Sequence, residues 1–200
     1  MRLRSHISWR LIPAVESRRH ATASTSATAM TSEQIIQNAY YVPDLEAGIA
    51  RFHALWGVGP FFVRRHIELE NVTYRGSPSE LDISAAYTQS GDLMIELVTQ
   101  HNDAPSIFRD RFAAHEGGFH HVALDFGDHD ARVAEFNSMG LESVTSFKTC
   151  EGRGATYLDT FELLGHATEI YIVNDSLKKL YVDVRRASET WDGKELVREL

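Results

Sequence analysis

Two hundred residues, 43% hydrophobic and 24% charged, are enough for one globular domain with its own core. A formal charge of −8 excludes a nonspecific electrostatic grip on nucleic acid, and no apolar run reaches the roughly 18–20 residues that a membrane-spanning helix needs. The single cysteine, Cys150, excludes an internal disulfide framework and an all-cysteine metal cluster.

The charge is unevenly spread. Residues 1–30 carry five arginines (Arg2, Arg4, Arg10, Arg18, Arg19) against Glu16, which leaves −12 on residues 31–200. The segment closes in a low-complexity run of alanine, serine and threonine ending at Met30, so it reads as a flexible extension outside the folded domain. Its composition is that of a mitochondrial transit peptide, which implies the matrix. Met30 also suits a start, followed at once by folded-looking sequence. Cytoplasmic residence is the expectation adopted, with the matrix as the alternative.

From residue 34 the pattern is regular. Gln34–Val42 is β-prone and stops at Pro43. Asp44 suits a helix N-cap, Leu45, Ile49, Phe52 and Trp56 form one apolar stripe, and Gly57 ends the helix. Pro60–His66 reads as a strand and Glu68–Ser79 as a polar loop. Leu81–Gln89 and Leu93–Thr99 read as a hairpin turning through Ser90-Gly91-Asp92. The same grammar then returns. Phe119–Phe126 is a strand, Asp128 a cap, Val133, Phe136 and Met139 a helix face stopped by Gly140, with strands near 142–148, 156–160 and 167–173. Asp128 follows Asp44 by 84 residues and Gly140 follows Gly57 by 83, an internal repeat that outranks any single propensity. The expected fold is α+β: two tandem βαβββ modules, about 34–100 and 118–173, forming a curved mixed sheet around a central cup within a domain of 31–175. Residues 176–200 are expected as a charged helical tail packed on its outside.

Four motifs now stand in order: Gln37-Asn-Ala-Tyr-Tyr-Val-Pro-Asp-Leu45, Ile95-Glu96-Leu97, Gly118-Phe-His-His-Val-Ala-Leu124 and Thr168-Glu169-Ile170. Together they resemble the opening and closing strands of the glyoxalase/bleomycin-resistance/dioxygenase (vicinal oxygen chelate) superfamily, nearest the glyoxalase I and methylmalonyl-CoA epimerase branch. That resemblance implies a divalent metal (Zn, Ni, Co, Mn or Fe) held by Gln37, Glu96, His121 and Glu169. It also implies a homodimer, and a small organic substrate that loses a proton next to a carbonyl, with Glu169 as the base. A glutamine stands at position 37 where the family usually has histidine, and its amide is a weaker, neutral ligand. A metal-free small-molecule binding protein of the bleomycin-resistance type is therefore the alternative function. The acids and single imidazole differ from the two-histidine, one-carboxylate triad of iron oxygenases, which disfavours ring-cleaving dioxygenation.

Read on their own, Glu96 and Glu169 lie between apolar neighbours in strands. There a carboxylate either faces solvent or has a partner, because burial unpaired costs several kcal/mol. Strand alternation sends His120 to the face opposite His121. Asp82 is a candidate second base, and Tyr41, Arg75 and Ser84 are candidate substrate contacts. Tyr41 shares strand parity with Gln37, as Ser84 does with Asp82.

Overall fold

The computed structural model describes residues 34–125 and 127–200. The extension expected over residues 1–30 lies outside them, as does Phe126 at the end of the expected strand 119–126.

The first module opens with β1 (Gln34–Tyr41) and α1 (Leu45–Trp56). Asp44 caps α1 by accepting from the Ala47 N–H (2.8 Å), and Gly57 ends it at a φ of 69°, a left-handed conformation that costs glycine nothing. Leu45 and Ile49 are buried beneath it, whereas Trp56 stays 51% exposed. Then come β2 (Phe61–Arg64), β3 (Leu69–Tyr74), β4 (Ser77–Pro78), β5 (Ile83–Ser90) and β6 (Leu93–Gln100). Gly91 and Asp92 alone turn the β5–β6 hairpin, which fixes its register at Ser90 opposite Leu93.

A short helix, α2 (Ile107–Arg111), crosses to the second module. That module runs β7 (Gly118–Asp125), α3 (His129–Ser138), β8 (Ser143–Thr149), β9 (Gly154–Leu158), α4 (Phe161–Leu164) and β10 (Ala167–Ile172). Asp128 caps α3 as Asp44 caps α1. The apolar face expected on α3 is covered only thinly: Val133 and Phe136 are half-buried and Met139 is 63% exposed.

The eleven strands of the described residues form one curved, unclosed mixed sheet in the order β11-β2-β5-β6-β1-β7-β10-β9-β8-β3-β4. Within it, β2-β5-β6-β1 and β8-β9-β10-β7 are equivalent runs that meet where β1 pairs antiparallel with β7. The two-module α+β architecture read from the sequence is therefore the observed one.

Two expectations are corrected. Residues 68–79 are not a loop but the β3–β4 hairpin, turned by Arg75 and Gly76 at positive φ (46° and 78°). It leaves its own module and pairs with β8. Its polar, half-exposed pattern hides the strand, because an edge strand has little apolar face to show. The tail, for its part, is not helical throughout. Asn174 caps α5 (Asp175–Glu189), and the chain then adds β11 (Val197–Glu199) parallel to β2. Helix α5 buries Leu177, Leu180 and Val184, the last two against Ala85, Tyr87 and Met94 of the β5–β6 hairpin.

Candidate metal centre

The four central strands β6, β1, β7 and β10 carry Glu96, Gln37, His121 and Glu169, all buried. Ala39 lies across from both Glu96 and His121, and Ala123 lies across from Glu169, so small side chains leave room for the polar ones to converge. His121 Nε2 stands 3.2 Å from Glu96 Oε2 and 3.1 Å from Glu169 Oε2. Among the described residues these three buried atoms have no well-formed hydrogen bond. With one ligand atom offered by each residue, they all lie within 4.8 Å of one another.

A divalent ion fits this donor set. Two carboxylates and a neutral imidazole around a 2+ charge sum to zero, whereas unpaired carboxylates at this depth are costly. Imidazole nitrogen and carboxylate oxygen are ordinary ligands of zinc, manganese, cobalt, nickel and iron. Without an ion the site compensates by protonation. Burial opposes a charge on His121, but Glu169 and Glu96 outweigh it and raise its pKa to about 9. Burial also pushes the Glu96 carboxyl upward.

The strand alternation expected at His120 fails, because the β1–β7 register slips between Ala39 and Tyr40 and passes over His120. Such a bulge re-aims a side chain. The His120 ring, packed against Phe108 and Phe161, comes to 2.9 Å (Nδ1 to Nδ1) from His121. Its Nε2 faces the Ile107 carbonyl at 3.3 Å. A carbonyl only accepts, so this nitrogen carries the proton, and burial keeps the ring neutral by lowering its pKa. The bare Nδ1 of His120 then accepts from His121 Nδ1–H. The network thus assigns the His121 tautomer and turns Nε2 toward the carboxylates.

Gln37 sits on the same strands but is engaged elsewhere. The Tyr171 hydroxyl donates to its Oε1 (2.7 Å), and its Nε2 approaches Met94 Sδ at 3.4 Å. Two further tyrosines flank the acids: Tyr87 lies directly across from Glu96, and Tyr157 across from Glu169. Burial, followed by the charge of the two carboxylates, raises the Tyr87, Tyr157 and Tyr171 pKa values well above the ordinary one, so all three stay hydrogen-bond donors.

The other sequence candidates lie apart from this cluster. On β5 it is Ile83 and Tyr87 that line the cup, so Ser84, and Asp82 just before the strand, fall on the opposite parity. Asp82 pairs with His66 (2.8 Å) and Ser84 with His101 (2.7 Å). Tyr41 is buried against Phe108 and Phe112, where its hydroxyl accepts from Arg109 (2.5 Å). Arg75 ties the β3–β4 turn to Asp110 and Glu142 at the surface.

A pocket opens onto Glu96 and Glu169. Its walls are Tyr87, Tyr157 and Tyr171, together with Leu177, Leu180 and Tyr181 from α5. Arg64, Thr149 and Arg153 line it as well. None of these tyrosines or arginines was singled out in the sequence. Counting back from the two-residue turn at Gly91-Asp92 would have found Tyr87 opposite Glu96. The lining by α5 has no comparable sequence signal.

Two repeated modules that place matched acids and a histidine on their paired inner strands define a vicinal-oxygen-chelate type of protein. The sequence profile of the glyoxalase/bleomycin resistance protein/dioxygenase superfamily matches residues 36–157, and the chain belongs to that superfamily. No curated protein matches it in sequence. Among solved structures it is similar to a methylmalonyl-CoA epimerase in complex with methylmalonyl-CoA and ammonium (18% identity, TM-score 0.46, 70% of this chain and 93% of that one). It is also similar to methylmalonyl-CoA epimerase from Mycobacterium tuberculosis (16%, 0.48, 78% and 97%). A third is a Streptomyces coelicolor epimerase variant bound to 2-nitronate-propionyl-CoA (18%, 0.45, 69% and 92%).

Proposed function

We propose that the protein is a metal-dependent isomerase, epimerase or lyase that removes a proton next to a carbonyl of a small organic substrate. The observation carrying this is the convergence of three buried atoms, Glu96 Oε2, His121 Nε2 and Glu169 Oε2, that have no well-formed hydrogen bond among the described residues. They are the residues that would hold the ion, with Gln37 a fourth ligand only if it gives up Tyr171. A bound divalent ion supplies Lewis-acid polarisation of the substrate carbonyl. Glu169, at the pocket floor, takes the proton from the adjacent carbon. The Tyr157 hydroxyl, across the strand pair from Glu169, donates a hydrogen bond to the substrate oxygen as charge develops there. The aromatic and aliphatic walls keep water from the carbanion.

A second reading, a metal-free small-molecule binding protein, is favoured by one observation. The Gln37 amide oxygen already accepts the Tyr171 hydroxyl, and a protonated His121 offsets one of the two carboxylates without any ion. Elemental analysis of chelator-free wild type and Glu169→Gln decides between the two. The enzyme reading expects about one divalent ion per chain in wild type and a marked loss in the variant. It also expects solvent deuterium to enter α-acidic ketones or thioesters, at a rate that Glu169→Gln lowers about 10²–10⁴-fold. Wild type that neither carries nor gains metal leaves only the binding reading.

A further inference from the structure

The far end of the pocket differs in kind from its floor. The turn between β8 and β9 (residues 150–153) is closed by the Thr149 N–H donating to the Arg153 carbonyl (2.7 Å), with Gly152 at a φ of 73°. Thr149 and Arg153 therefore face each other across it. Arg153 is anchored through Nη2 to Glu151, whose other oxygen accepts from Arg64 Nη2 (2.6 Å). Helix α5 joins the same hub, where Ser176 donates to the Glu151 carboxylate (3.3 Å) and Asn174 to its carbonyl (3.0 Å). Two polar atoms are left over. Arg153 Nε and Thr149 Oγ1 are buried, both residues line the pocket, and neither atom has a hydrogen-bond partner among the described residues. The Arg153 side chain is only 11% exposed.

The chemistry of these leftovers is directional. Arg153 Nε–H is a donor that cannot be titrated away, and a threonine hydroxyl beside it supplies a second. Arg64 and Arg153 against Glu151 leave one net positive charge. Outside them lies a polar vestibule that shares Arg64 and Thr149 with the pocket and adds Arg65, His66 and Glu68, Arg65 being paired with Glu46 and Glu199. The floor presents the opposite, the carboxylate oxygens of Glu96 and Glu169. A ligand with an oxyanion at one end can therefore enter in one orientation only, its anion toward the turn and its neutral carbonyl toward the acids.

We propose that Thr149 and Arg153, backed by Arg64, form a carboxylate-binding subsite, and that the substrate is a compact oxo acid carrying its carboxylate away from the reacting carbon. This rests on the buried end being the reacting end, so the test reads binding apart from turnover. Straight-chain methyl-ketone acids with one to four carbons between carbonyl and carboxylate, their methyl esters and the matching phosphonates are titrated calorimetrically into metal-free protein. At least one acid is expected to bind, with its ester about tenfold weaker or worse. Thr149→Val and Arg153→Lys, each checked for an unchanged melting temperature, are expected to weaken the acid by about tenfold, and Thr149→Ser to retain it. Esters that bind as tightly as acids overturn the proposal, as do variants that bind like wild type or a series in which no acid binds. Phosphonates that bind more tightly than carboxylates overturn the carboxylate assignment. Acids that bind without deuterium exchange in the metal-loaded protein would remove the proton-transfer reading and leave the subsite standing.

Discussion

His121 lies between two carboxylates on one side and a second imidazole on the other, and that second imidazole decides which nitrogen faces the site. His120 holds its own proton on the Ile107 carbonyl, so its remaining nitrogen has nothing to offer His121 but a lone pair. Replacing it with phenylalanine fills the aromatic niche and removes only the acceptor. His120→Phe should therefore fold, with a melting temperature close to wild type, yet bind divalent metal about 10–100-fold more weakly. Competition against a chromophoric chelator measures this, and an unchanged affinity would show that the His–His contact does not orient the ligand. At this scale Glu96, His121 and Glu169 were named through the resemblance of their motifs to the superfamily, since an acid between apolar strand residues can equally face solvent; the structure brings the three together. His120 was misread, because alternation assumes an unbroken ladder and a bulge is decided by the strand lying opposite.

Among the elements, α1, α3 and the β5–β6 hairpin were legible from caps, apolar spacing and a two-residue turn, all signals carried within a dozen residues. The β3–β4 hairpin was not, since its partner is β8, 71 to 80 residues away in a different module (Tyr74 to Thr145, Leu69 to Thr149), and its own sequence has the polar look of an edge. Helix α5 was foreseen as a helix but not as a wall of the pocket. Its stabilising contacts lie on one face: Val184 is fully buried, while Val182 is 61% exposed. Val184→Ala should cost about 2 kcal/mol of unfolding free energy through lost burial and the cavity left behind. Val182→Ala should stay within about 0.5 kcal/mol. Urea titration compares the two, and equal costs would mean that α5 does not pack on the β5–β6 hairpin as described.

For the whole molecule, the buried centre ties stability to pH and metal. His121 titrates near 9 in the folded protein against an ordinary 6.5, so its ionic contribution is complete below pH 6.5 and is lost as pH rises through about 9. The upward shift of Glu96 acts in the same direction. His120, held neutral by burial, acts oppositely and weakens the fold as pH falls below 6.5. Metal-free protein should therefore melt at progressively lower temperature between pH 6.5 and 9. Bound divalent metal, which takes over the proton's role, should flatten that decline. Thermal denaturation with EDTA and with added metal tests this, and a metal-free melting temperature that is level across the window would contradict the charge balance drawn for the site.

The sequence by itself determined the repeat of two βαβββ modules, and its four motifs pointed to three of the converging residues through their resemblance to the superfamily. Caps, turns and apolar spacing are local, and a repeat of 84 residues places equivalent strands together whatever lies between them. Only the tertiary structure decided that Gln37 is held by Tyr171, that His120 turns toward His121, that Asp82 and Ser84 face away from the cup, and that Arg153 and Thr149 stand at its far end. Each of these depends on register and on contacts between distant segments, where a one-residue shift reverses the face a side chain presents.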